Sequence, residues 1–168
     1  MKSFLTFIFL LSINIFSQDK NKVIEDENSE PMLIGYCTRE IFNDSAFASW
    51  FNPEYENYEP DSAAIKMLKE NIDDIDITIV MGSWCSDSQL YVPEVYKILD
   101  GINYPSDDII LIAVDEDKKT ESAEQEGLEI EFVPTIIFYK DSSELGRIVE
   151  LPNESIEEDM LEIVTGKD

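Results

Sequence analysis

The stretch that most constrains this chain runs over residues 78–93, Thr-Ile-Val-Met-Gly-Ser-Trp-Cys-Ser-Asp-Ser-Gln-Leu-Tyr-Val-Pro. Ile79, Val80 and Met81 are apolar without alternation, which suits a strand covered on both faces. Gly82 and Ser83 end that strand, and Cys85 falls where a helix begins, with Leu90, Val95, Ile98 and Leu99 as its expected apolar face. A thiol at a helix N-terminus meets unpaired backbone N–H groups and the positive end of the macrodipole. Both favour the thiolate, the reactive form. A buried, inert cysteine is the alternative at this position.

A second apolar run, Ile109 to Val114, follows the helix. Strand, helix and strand with continuous apolar runs make a right-handed parallel unit. Upstream, Asp61 is placed to cap a helix carrying Ile65, Leu68 and Ile72. Asp100-Gly101 is expected to stop the cysteine helix. Residues 115–127 read as a polar, exposed helix with Ala123 alone apolar in its middle. Lys140 to Ser143 read as a hairpin turn, with a last strand from Leu145 to Leu151. A closing helix runs from Ser155 to about Val164, turning Ile156, Met160, Leu161 and Val164 inward. The expected fold class is α/β, a central mixed sheet with helices on both faces and the cysteine at the carboxyl end of a strand.

These motifs together resemble the thioredoxin superfamily. Trp84-Cys85 stands where that family has Trp-Cys-x-x-Cys, and Pro93 lies eight residues after the cysteine, where thioredoxins kink the active-site helix. Phe132-Val133-Pro134-Thr135 resembles the cis-proline loop, followed by the apolar strand Ile136 to Tyr139. The resemblance covers roughly residues 77–165 and implies a three-layer thioredoxin-like fold. It further implies a cis Val133–Pro134 bond with the Val133 backbone beside Cys85. The site residues it implies are Cys85 and Ser88 as the catalytic pair, with Trp84, Val133 and Pro134 as client contacts. Neither a cofactor nor a metal is implied. Ser88 replaces the second cysteine: its hydroxyl is expected to donate to the thiolate and is too weak an acid to attack a mixed disulfide. Asp87 adds an opposing negative charge. Thioredoxins also carry a buried aspartate six residues before the cysteine, and that position is Ile79 here.

The residues ahead of this core carry less information. Residues 4–16 form an apolar run behind Lys2, about the length of a signal-peptide core and short of the ~20 residues of a spanning helix. Cleavage after Ser17 is expected, leaving an exported, periplasmic or extracellular protein without a membrane anchor. An uncleaved anchor or a buried N-terminal helix is the alternative. Residues 18–30 are polar and charged and read as a disordered tether. Residues 31–60 read as an extension of the core domain, which spans 31–168, its own core being 61–168. In the extension Met32 to Cys37 fit a short strand and Thr38 a cap for a helical turn through Phe42. Phe47, Trp50, Phe51, Tyr55 and Tyr58 either pack against the sheet or form a hydrophobic wall that grips a partner. Two glycosylation-type sequons occur, at Asn43 and Asn153.

Charge and histidine content exclude whole classes of function. With 37 acidic and 12 basic residues the chain carries −25, and loss of Lys2 with the leader leaves −26. Nucleic acid and anionic lipid are therefore excluded as partners by repulsion. There is no histidine, so histidine acid–base catalysis and histidine-built zinc sites are excluded, and two cysteines do not make a thiolate zinc site. Cys37 is the only other thiol; it can resolve or pair with Cys85, or be a buried small residue. Two functions follow. One is a monothiol thiol–disulfide oxidoreductase or isomerase acting on client-protein thiols and disulfides. The other is a binding module that keeps the fold without turnover.

Overall fold

The computed structural model describes residues 20–166. The leader and its cleavage point after Ser17 lie outside the described residues. Six strands form one sheet: β1 (Lys22–Glu25), β2 (Pro31–Cys37), β3 (Asp76–Met81), β4 (Ile109–Ala113), β5 (Thr135–Lys140) and β6 (Ser143–Val149), in the spatial order β1-β2-β4-β3-β5-β6. β3 and β4 are parallel and joined through a helix, as the continuous apolar runs require; every other pairing is antiparallel. Four α-helices complete the fold: α1 (Ser45–Asn57), α2 (Ser62–Asn71), α3 (Ser86–Gly101) and α4 (Ile156–Thr165).

Alternation along the strands sorts the core in two. Ile77, Ile79 and Met81 of β3, with Leu111 of β4 and Ile136 and Phe138 of β5, pack with residues of all four helices in the larger cluster. Val80, Ile112, Val114 and Val133 form a smaller cluster on the other face, joined by Tyr36, Trp84, Cys85, Leu128 and Ile130. The helices contact one another in the order α1–α3–α4–α2, so they gather on one face. The segment 115–127 forms turns where a helix was expected. The Asp115 carboxylate accepts from the Lys119 N–H at 2.8 Å, and Thr120 Oγ1 bonds Gln125 Oε1 at 2.6 Å and accepts from Glu124 N at 3.0 Å. Lys118 and Ala123 sit at φ of 60° and 61°. Side chains that bond nearby backbone compete with the helix, and without an apolar stripe nothing opposes them.

The N-terminal part needs one correction. Residues 22–25, expected in the tether, pair as an edge strand with β2. Asp26 makes the turn between them: its Oδ1 accepts from Asn28 N and Glu30 N, each at 2.8 Å. Backbone pairing asks for no apolar side chain, so polarity hid the strand. Thr38 is the N-cap residue of the 3₁₀ turn Arg39–Asn43, as expected, through its carbonyl and not its side chain: its O accepts from Ile41 N at 3.2 Å, while its Oγ1 accepts from Asn21 Nδ2 at 3.0 Å. The aromatic cluster is packing, with Phe42, Phe47 and Phe51 buried and Phe42 stacked on Phe51 at 4.3 Å. Both sequons lie at helix starts. Asp44 caps α1 by accepting from Ala46 N at 2.9 Å, and Ser155 caps α4 through Glu158 N at 3.3 Å.

Asp61 caps α2 as expected, accepting from Ala63 N and Ala64 N at 2.9 and 2.8 Å. The cysteine helix departs from expectation at two places. Leu90 is exposed, and Val92 and Tyr96 fill the core in its place. The helix also passes through Asp100 and Gly101, because the Asp100 carboxylate is held by a bidentate contact to Arg39 at 2.6 and 2.5 Å and by Tyr55 Oη at 2.5 Å.

Candidate functional site

β3 delivers its chain to the carboxyl edge of the sheet, and the turn after it is built from backbone upward. Ser83 is buried and its Oγ accepts the Leu33 N–H at 2.9 Å, tying the turn to β2. Gln89 Nε2 donates to Ser83 O at 2.8 Å from one turn into α3. Cys85 N donates to Gly82 O at 3.0 Å, and Cys85 O accepts from Gln89 N at 3.0 Å as the first helical bond. Cys85 is therefore the N-cap residue of α3, with extended dihedrals (φ −88°, ψ 125°) and a side chain that caps nothing. The thiol is left free for chemistry and is half-buried.

Val133–Pro134 is cis, as the resemblance implied. The Val133 backbone lies beside the thiol: Cys85 Sγ donates to Val133 O at 3.2 Å. Thr135 Oγ1 donates to Phe132 O at 2.8 Å, and Glu150 N donates to Pro134 O at 2.8 Å, so the loop is braced from both sides. The Val133 side chain is buried in the smaller core cluster, and what reaches the surface there is Phe132, 49% exposed.

Trp84 is held by two contacts. Its Nε1 donates to Val114 O at 2.9 Å, and Lys118 Nζ lies over the ring at 5.8 Å. The indole rests directly on Gly82, where a Cβ would come within 2.5 Å of Cε2. Sequence reasoning read Gly82 only as a strand end and missed its role under the indole; a glycine two residues before a tryptophan at a strand end is the signal that finds it.

Ser88 corrects the expectation of a hydroxyl that serves the thiol. It is fully buried, and its Oγ accepts the Gly82 N–H at 3.2 Å, with no hydrogen bond to Cys85 among the described residues. The side chain closes the strand-to-helix turn from inside. Ile79, at the position of the family's buried aspartate, is fully buried in the larger cluster and leaves no proton acceptor there.

Cys37 lies on the other side of the sheet. It is buried in the larger cluster, Cys85 packs with the smaller one, and both thiols are free. Burial pushes the Cys37 thiol up to about 12, so it stays protonated near neutral pH. The site thus brings together Cys85, Trp84 and the Val133–Pro134 backbone, with the Ser88 hydroxyl bonded to Gly82 instead of the thiol and Cys37 in the other core cluster.

The chain is similar to known proteins in sequence and in fold. Residues 66–162 match the thioredoxin family model. A crystal structure of a protein of unknown function from Pseudomonas aeruginosa is similar at 18% identity, covering 72% of this chain and 82% of that one, with a TM-score of 0.50. Thioredoxin from Fasciola hepatica is 22% identical over 61% of this chain and 89% of its own, with a TM-score of 0.40. Thioredoxin O2 from Arabidopsis thaliana in its oxidized state is 22% identical over 54% of this chain and 74% of its own, at 0.36. No curated protein matches the chain. With the family model spanning more than half of its length and the strand, cysteine turn and cis-proline loop in their places, the chain belongs to the thioredoxin family.

Proposed function

We propose that this protein exchanges disulfides with client proteins outside the cytoplasm, through the single thiol of Cys85. The observation that carries the reading is the half-buried thiol at the N-cap of α3, 3.2 Å from the carbonyl that precedes a cis proline. The short apolar leader and the charge of −25 support the location.

The chemistry balances with one protein thiol. Cys85 loses its proton to solvent and attacks one sulfur of a client disulfide. A Cys85–client S–S bond forms, the client S–S bond breaks, and the second client sulfur leaves as a thiolate. Nothing in the chain reverses this. Ser88 is buried against Gly82, and Cys37 lies across the sheet. A client thiol must attack the client-side sulfur of the adduct and return the Cys85 thiolate, which yields a rearranged client disulfide. Isomerisation suits this arrangement better than net reduction. The lack of a proton acceptor and a resolving thiol near Cys85 favours the second reading, a binding module of the same fold.

One experiment separates them. The protein is incubated near neutral pH with a scrambled-disulfide client, quenched with acid, and analysed by mass under non-reducing conditions. A client adduct on Cys85, absent in Cys85→Ser, supports exchange. No adduct, together with no alkylation of Cys85 by iodoacetamide, leaves the binding module.

A further inference from the structure

Exposed apolar side chains and carboxylates both lie next in the chain to the thiol turn and the cis-proline loop. Phe132 is 49% exposed immediately before the cis-proline loop, and Leu151 is 55% exposed just beyond β6. The Glu150 N–H bond to Pro134 O, at 2.8 Å, ties the chain just before Leu151 to the loop. Two large exposed apolar side chains are therefore carried by the loop and by the segment bonded to it.

Three carboxylates border the same surface from three different elements. Asp87 is in the first turn of α3, two residues after the thiol. Glu131 precedes Phe132, and Glu150 sits at φ 61° directly behind Pro134. None of the three takes part in an ion pair or a side-chain hydrogen bond, although three such ion pairs exist elsewhere among the described residues. Lys118 lies over Trp84 with its Nζ donating to Glu116 O at 3.0 Å. An apolar surface with unneutralised carboxylates on its rim is complementary to one kind of segment, a cationic one with apolar residues between its charges.

We propose that the Cys85 surface selects client segments in which the reacting cysteine is flanked by Lys or Arg and by large apolar side chains, with Asp87 and Glu150 as the specificity-determining residues. This deepens the exchange reading above and rests on it for the thiol step, though recognition itself requires no reaction. Phe132 and Leu151 take the apolar side chains, and the carboxylates take the charges on either side of the thiol. A second copy of this chain is excluded as occupant by its own charge of −25.

The test uses two synthetic peptides of equal length, one with Lys and Leu around a single cysteine, the other with Gln and Leu. Each cysteine carries a 2-thiopyridyl disulfide. Attack by Cys85 forms the Cys85–peptide S–S bond, breaks the bond to the pyridyl sulfur, and releases 2-thiopyridone, which is followed by absorbance. A unit-charge pair about 7 Å apart in water changes a rate about threefold. With two carboxylates the cationic peptide is therefore expected to react about tenfold faster at low salt, the ratio falling toward one as salt is raised. Asp87→Asn and Glu150→Gln should each cut the ratio about threefold, each rate being divided by the same variant's rate with neutral dipyridyl disulfide so that any change in the thiol itself cancels. Glu70→Gln with Asp73→Asn, at the opposite end of β3, should leave it intact.

Equal rates for the two peptides at low salt overturn the proposal. A loss of preference in the distant variant as large as in the local ones also overturns it, since the effect is then the charge of the whole chain. A second measurement is independent of thiol chemistry: fluorescence anisotropy of the same peptides, with cysteine replaced by alanine, on the Cys85→Ala protein. If Cys85 proves unreactive toward dipyridyl disulfide yet the cationic peptide binds and Glu150→Gln weakens it, the exchange reading fails and the surface proposal stands. Equal binding of both peptides removes the surface proposal whatever the thiol does.

Discussion

Gly82→Ala tests how the tryptophan is held. The added Cβ would fall 2.5 Å from Cε2, 2.7 Å from Nε1 and 2.9 Å from Cζ2 of Trp84, all on a rigid ring system that has no flexible end to move aside. The indole must lift as a unit. Doing so breaks the Nε1–H bond to Val114 O, at 2.9 Å, and the residue carrying that carbonyl is fully buried. Losing the bond removes about 1 kcal/mol, and a buried carbonyl left without a donor costs about 1–3 kcal/mol more. The total is about 2–4 kcal/mol, or roughly 5–15 °C in Tm for a chain of this size. The backbone of Gly82 does not lie in the left-handed region, so alanine itself brings no strain there. Urea unfolding of Gly82→Ala, Trp84→Ala and the double variant gives the coupling directly. The reasoning requires that Gly82→Ala cost little once Trp84 is gone. A cost of 2 kcal/mol or more in the Trp84→Ala background, or a cost below about 0.5 kcal/mol in the native one, refutes it.

Other outcomes follow from single contacts. Ser88→Ala should lose about 1–3 kcal/mol in urea unfolding, because the Gly82 N–H is left without an acceptor inside the turn. Ser88→Cys should shorten the life of the Cys85–client adduct in a non-reducing mass assay; an unchanged lifetime means the buried position cannot reach the adduct. Cys37→Ser should leave that lifetime as it is, and iodoacetamide at pH 8 should modify Cys37 only after unfolding, since its thiol is held up to about 12 by burial. Burial, then the charges of Glu54 and Glu157, raises Glu94 to about 7, so between its ordinary value of 4.5 and 7 the folded state binds the extra proton. That contribution to stability is present below 4.5 and is lost as pH rises through 7. Glu94→Gln should therefore flatten the decline over this window. At pH 8 it should stabilise by about 1–2 kcal/mol, discounted for solvent screening of a half-exposed group. A difference from the native protein that is flat between pH 4 and pH 8 contradicts this.

The parts of the fold that rest on periodicity were readable in the chain. The apolar runs around Ile79 and Leu111 required a covered parallel pair, and the Asp61 and Ser155 caps marked their helices. Polar side-chain bonding was not readable. Residues 115–127 carry enough helix-compatible residues to suggest a helix, and only the geometry of Asp115 and Thr120 shows that their side chains bond the backbone instead. Edge strand β1 has no apolar face to advertise, since Val23 is 45% exposed. At the site, Cys85, Trp84 and Pro134 stood out by order and spacing. The direction of Ser88 did not, because one helical turn from a cysteine can face the thiol or the strand behind it, and the Gly82 N–H decides for the strand.

The turn-built segment between β4 and β5 gives the sheet a side that opens more easily than the other. It is anchored by a few side-chain bonds and by Leu128 and Ile130, whereas the larger core cluster draws buried residues from all four helices. Elements with few buried contacts unfold locally at a fraction of the global free energy. Amide hydrogen exchange should then divide the molecule in two: slow behind α3 and α4, faster along 115–131. Trp84 belongs to the faster half, since it is bonded to Val114 O and covered by Lys118. One wall of the thiol site thus takes its stability from this covering segment rather than from the core, and access to that wall is set by how often the segment opens.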